Sequence, residues 1–109
     1  MKVVGFLTFG YCYRLEQLIL LYGVEEIHYG AFGTCYLLRS VFIPESVRFV
    51  GECAFASCHS LEYVVIMKSE NQNIHEYAFI DSVSLKRAFK ISKEYVRRKF
   101  PVIAKYPVG

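Results

Sequence analysis

The side chains of this chain best suited to chemistry are four cysteines, three histidines and a single aspartate among 109 residues. Cys53, Cys58 and His59 lie near one another in sequence, and such a cluster could hold zinc. A zinc site built this way wants a CxxC pair and a fourth ligand, and the stretch supplies neither. Nucleophilic catalysis needs a Ser or Cys beside a His that an acid orients. Asp81 is the only Asp. His28 and His75 sit two repeat units apart, roughly 10 Å if each unit adds one strand spacing. No triad can be assembled from them. Residues 30–34 lack the Gly-Lys-Ser/Thr that grips phosphate, and the chain has no Asn-x-Ser/Thr sequon. These residues argue against an enzyme, and no metal or cofactor is expected.

What the cysteines do show is a period. Cys12, Cys35 and Cys58 are spaced by 23 residues, with Ser82 in the fourth place after 24. Phe9, Phe32, Phe55 and Phe79 keep the same intervals, as do Leu15, Leu38, Leu61 and Leu85, and Val4, Ile27, Val50 and Ile74. The extra residue of the last interval falls in the polar stretch 67–73, where a surface loop accepts an insertion at little cost. A unit of this length reading L-x-x-L-x-L has the leucine-rich-repeat period. No unit of this size buries its own apolar face, so the units must stack. The pairs Leu18/Leu20, Val41/Ile43, Val64/Ile66 and the weaker Ala88/Lys90 then point inward from one short strand each. Adjacent strands should lie about 4.8 Å apart in a parallel sheet, with the phenylalanines stacked behind it. The in-phase cysteines should be buried thiols, small hydrophobes by character. Cys53 is out of phase and is expected to be the exposed, reactive one.

Residues 35–58 carry the pattern most fully: Cys35, Leu38, Val41, Ile43, Pro44, Ser46, Val47, Val50, Gly51, Ala54, Phe55 and Cys58. In this the chain resembles the BspA-type leucine-rich repeat family over about residues 4–90. The first unit has Thr8-Phe9 where Ala-Phe is usual. The last lacks the cysteine and the Pro-x-Ser-Val segment, and His28 and His75 replace the family glycine seen at Gly5 and Gly51. The resemblance implies a surface or secreted protein engaged in adhesion or host contact, and in that family buried thiols of this kind are common. It comes from a family of bacterial and protozoan proteins.

Between the inward residues lie outward ladders. Glu16, Arg39, Glu62 and Lys86 alternate in sign, and each neighbouring pair is attractive by roughly 0.2–1 kcal/mol. Ile19, Phe42, Val65 and Phe89 form an apolar line beside Gln17, Ser40, Tyr63 and Arg87. Cross-strand apolar pairs stabilise a sheet by themselves. A contiguous exposed stripe on the concave face of a solenoid also marks an interaction site. Ile19, Phe42, Val65, Phe89, Tyr63 and Arg87 are accordingly the candidate partner-binding residues.

A hydrophobic share of 54% excludes a disordered chain. The apolar run 18–21 stops at Tyr22-Gly23, far short of a membrane span. Residues 11–14, Tyr-Cys-Tyr-Arg, do not fit a signal-peptide cleavage site. Charge is split: residues 1–85 hold five Lys/Arg against nine Asp/Glu, and residues 86–109 hold eight against one. Ser92 can cap a helix ended by Pro101. Ile91, Tyr95 and Phe100 could then cover the end of the stack, with Arg97, Arg98 and Lys99 suiting the helix C-terminus. A basic contact to phosphate or anionic lipid is the alternative.

The expectation is one leucine-rich-repeat solenoid of about four repeats over residues 1–90. Short parallel strands form one face, with turns and irregular segments on the other, and residues 91–109 form a basic cap. Its function is expected to be non-catalytic protein binding through the sheet. An intracellular scaffold or nucleic-acid module led by the basic end is the rival, though nucleic acid is not the expected partner. The first repeat has no cap, so the chain is expected either to be a piece of a longer array or to self-associate through that end.

Overall fold

The computed structural model describes residues 2–92 together with Glu94 and Arg98. Eight strands follow one another: β1 (Val3–Val4), β2 (Gln17–Ile19), β3 (Glu26–Ile27), β4 (Ser40–Ile43), β5 (Phe49–Val50), β6 (Tyr63–Met67), β7 (Asn73–Ile74) and β8 (Arg87–Ile91). They form two four-stranded parallel sheets, ordered β1-β3-β5-β7 and β2-β4-β6-β8. Each turn of the chain contributes one strand to each sheet, and four turns make a right-through stack. The sheet of longer strands is the one the L-x-x-L-x-L pattern predicts. The other side, expected as turns, also carries a second ladder built on the Val4, Ile27, Val50 and Ile74 column.

The repeat arithmetic becomes register. Leu18 pairs with Val41, Val41 with Val64 and Val64 with Ala88. Behind the sheets the phenylalanines stack face to face, with ring centroids 5.3 Å apart for Phe9–Phe32 and Phe32–Phe55 and 5.2 Å for Phe55–Phe79. Phe32 and Phe55 are fully enclosed. Burying such a ring stabilises by roughly 1.5–3 kcal/mol, and each stacked pair adds about 0.5–1.5 kcal/mol.

The segment holding the spine is irregular but repeats its hydrogen bonds. Phe9, Phe32 and Phe55 donate their amides to the carbonyls of Ala31, Ala54 and Ala78 on the next turn, at 2.7–2.8 Å. The tight turn marked by the family glycine is the same in all four units. Thr8, Ala31, Ala54 and Ala78 donate back to Gly5, His28, Gly51 and His75 at 3.0–3.3 Å. Histidine therefore fits this turn as glycine does. At Gly51 the turns approach more closely, and a Cβ there would lie 3.2 Å from the backbone of His28 and Tyr29.

Left-handed backbone recurs in phase. Leu7, Gly30 and Cys53 form one such column, with φ of 54°, 64° and 59°. Tyr11, Thr34, Ser57 and Asp81 form another at 54–61°. Cys53 is out of phase with the other cysteines because it belongs to this turn column. It is half-buried rather than exposed, which corrects the expectation, and its nearby thiol raises the pKa of Tyr29.

The inserted loop is tied down. The Ser69 hydroxyl and the Gln72 side-chain amide both donate to the Val47 carbonyl, at 3.0 and 3.1 Å. At the other end of the stack, the first turn leaves an apolar depression of about 300 Å³ lined by Val4, Phe9, Cys12, Leu15, Leu18 and Phe32, among others. This is the face on which the expected self-association would rest. The basic cap expected at 91–109 begins with Ile91 as the last residue of β8. Glu94 and Arg98 are helical. Tyr95, Arg97, Lys99, Phe100 and Pro101 lie outside the described residues.

Candidate functional site: the outward face of the longer sheet

Alternation along a strand sends neighbouring side chains to opposite faces, and the parallel register brings equal repeat positions side by side. Ile19 therefore neighbours Phe42, Phe42 neighbours Val65 and Val65 neighbours Phe89. In the next row Gln17, Ser40, Tyr63 and Arg87 are likewise paired. Ile19 is 58% exposed and Phe89 41%, while Phe42 and Val65, between them in the row, are half-buried.

Four of the six predicted residues meet in one shallow depression of about 400 Å³. Ile19, Phe42, Val65 and Tyr63 line it together with Gln17 and Ser40, over β2, β4 and β6. Phe89 and Arg87 do not line it. Phe89 instead lines an adjoining depression of about 490 Å³ with Lys68, Lys90, Ile91, Ser92 and Arg98. Ala88 and Lys90 in this lining keep the inward phase of Val64 and Ile66, so this depression opens at the β8 edge of the stack beside the stripe, and Lys68 reaches it from the loop after β6.

Of the charged ladder, Lys86 and Glu62 approach to 3.9 Å. The other acid–base pairs closed among the described residues lie at the shorter sheet, where Glu25 bridges Lys2 at 3.8 Å and Arg48 at 3.1 Å, and His28 meets Glu26 at 2.7 Å. A second surface ladder also escaped the sequence reading. Tyr13, Tyr36 and His59 stack at 5.2 and 5.0 Å, each one residue beyond a cysteine. Extending the column count by one position would have found it.

The cysteine column is structural. Cys35 and Cys58 are buried, Cys12 is half-buried and all four cysteines are free thiols. Cys35 and Cys58 donate their S–H to the carbonyls of Phe9 and Phe32 on the preceding turn, both at 3.4 Å. The hydrogen bond with Cys35 and burial push the Cys58 thiol well up, and burial raises Cys12. The raised thiols of Cys12 and Cys58 make poor nucleophiles at neutral pH, while the same hydrogen bond with Cys58 lowers Cys35 to about 7 within the buried core. No group of His, Cys, Asp and Glu suited to a metal occurs among the described residues. No helix of the described residues is long and apolar enough to cross a membrane.

The family model for the BspA-type leucine-rich repeat region matches residues 2–97, in six copies. A solved structure of a leucine-rich repeat protein from Bacteroides ovatus is 23% identical, with a TM-score of 0.40 over 85% of this chain. The chain spans 36% of the length of that protein. No curated protein matches it. With the repeat columns, their register and the family match over nearly all the described residues, the chain belongs to the BspA-type leucine-rich repeat family.

Proposed function

We propose that this chain binds an extended segment of a partner protein across β2, β4, β6 and β8, through Ile19, Phe42, Val65, Phe89, Tyr63 and Arg87. Leucine-rich repeats are typically protein-interaction modules without catalysis, and this reading gives the chain a specific surface. The observation that carries it is the exposure of the stripe. Cross-strand pairing could explain four apolar side chains in register, but it does not require Ile19 to stay 58% exposed on a solvated sheet. The depression beside it has Gln17, Ser40 and Tyr63 at its margin, the apolar floor and polar edge typical of recognition sites. The family's association with surface proteins extends the proposal to adhesion, with a host or neighbouring-cell protein as the partner.

The binding test is selection of a displayed random-peptide library on the folded protein. Peptides that bind the wild type and lose binding to Phe42→Glu and Phe89→Glu, with circular dichroism unchanged, support the reading. Peptides that bind both equally well contradict it. Adhesion is tested separately with an antibody on intact cells, medium and cytosol. A strictly cytosolic signal removes that part of the proposal.

A further inference from the structure

The face is electrically lopsided along its apolar stripe. Towards β2 and β4 Glu16 and Arg39 are exposed with opposite charges, and at the β8 end Lys86, Arg87 and Lys90 are exposed together. Lys68, Lys90 and Arg98 converge on the depression that Phe89 also lines. Lys86 has Glu62 as its counterion. Among the described residues, none of the acid–base pairs within 4 Å involves Lys68, Arg87, Lys90 or Arg98.

Lys90 occupies a repeat phase whose other members, Leu20, Ile43 and Ile66, are buried. A charge on an edge strand guards against unwanted pairing, and that alone could account for Lys90. It does not account for Lys68, from the loop after β6, and Arg98, beyond β8, lining the same depression.

Resting on the stripe as the binding face, we propose that its ligand is an acidic peptide segment, apolar where it crosses β2, β4 and β6 and carboxylate-bearing where it reaches β8. Three strand intervals amount to roughly 14 Å, which an extended chain covers with about four or five residues. The carboxylates then follow directly beyond Phe89. Carboxylates delivered to these Lys and Arg side chains beside an apolar contact gain charge-assisted hydrogen bonds and screening from water. A nucleic acid fits poorly, because its phosphates would run the length of the face. They would meet Glu16 and Glu62 on either side of Arg39 and an apolar centre, while the other cations gather at the β8 end.

The test uses synthetic fluorescent peptides with a Leu/Ile/Val/Phe tetrad followed or preceded by three Glu, and matched peptides with three Gln. A Glu peptide should bind at least tenfold tighter than its Gln partner. That ratio should collapse in the Lys90→Glu/Arg98→Glu variant, while Phe42→Glu should abolish binding of both peptides. Equal binding of Glu and Gln peptides, with both lost in Phe42→Glu, overturns the acidic ligand and leaves the stripe standing. Binding of both peptides that is indifferent to Phe42→Glu overturns the stripe and the proposal with it. Tighter binding of a single-stranded oligonucleotide or of phosphatidylserine vesicles than of any Glu peptide also overturns the proposal.

Discussion

Ser82 takes over in the fourth turn the bond that Cys58 makes in the third. The Ser82 hydroxyl donates to the Phe55 carbonyl at 2.8 Å, as the Cys58 thiol donates to the Phe32 carbonyl at 3.4 Å. Ser82 also accepts the Cys58 backbone N–H at 3.2 Å. The column thus selects a small side chain with one hydrogen to give, and sulfur is not needed for it. Cys58→Ser should cost about 1 kcal/mol or less, whereas Ser82→Ala, which strips both bonds from a buried site, should cost about 1–3 kcal/mol. Urea unfolding measures both.

The same thiol sets a pH dependence. Cys58 ionises with more difficulty in the folded chain than in the unfolded one. Its contribution to stability is complete below the ordinary thiol value of about 8.5 and is lost as pH rises past it, because only the unfolded chain then releases the proton readily. Wild type should lose more stability than Cys58→Ser between neutral and strongly alkaline pH. Parallel curves for the two proteins would contradict this.

The aromatic spine should be unequal along its length. Phe55 is enclosed and stacked on both faces, while Phe9 is 38% exposed and stacked on one. Phe55→Ala should cost about 3–5 kcal/mol. Phe9→Ala should cost clearly less, and equal losses in chemical denaturation would argue against a continuous spine.

At Gly30 two penalties can be separated. Its φ is +64°, and an added Cβ would lie 2.5 Å from Leu7 Cδ2. Gly30→Ala should destabilise by more than the ~1 kcal/mol of a left-handed backbone alone. Adding Leu7→Ala, which removes the obstructing methyl, should recover the excess and leave the backbone part. A double-mutant cycle showing no coupling would refute the contact.

Much of the architecture was legible because a repeat converts spacing into register. Once Leu18, Val41 and Val64 are in phase, the inward and outward rows follow from alternation, and the stripe from Ile19 to Phe89 follows with them. The second sheet was not legible, because strands of two residues such as Val3–Val4 are too short to show alternation. The left-handed columns were hidden for another reason. Glycine marks such positions only at Gly30, and Leu7, Tyr11 and Cys53 give no turn signal. The basic depression beside Phe89 was missed because Lys68 and Arg98 are brought to it by the path of the chain, not by the period.

The central claim, that a partner segment lies on the longer sheet, is tested most directly by amide hydrogen exchange with a library-selected peptide bound. The account predicts slowed exchange concentrated in β2, β4, β6 and β8 and in the loop holding Lys68. Protection confined to β1, β3, β5 and β7, or to the Tyr13–Tyr36–His59 ladder, would contradict it.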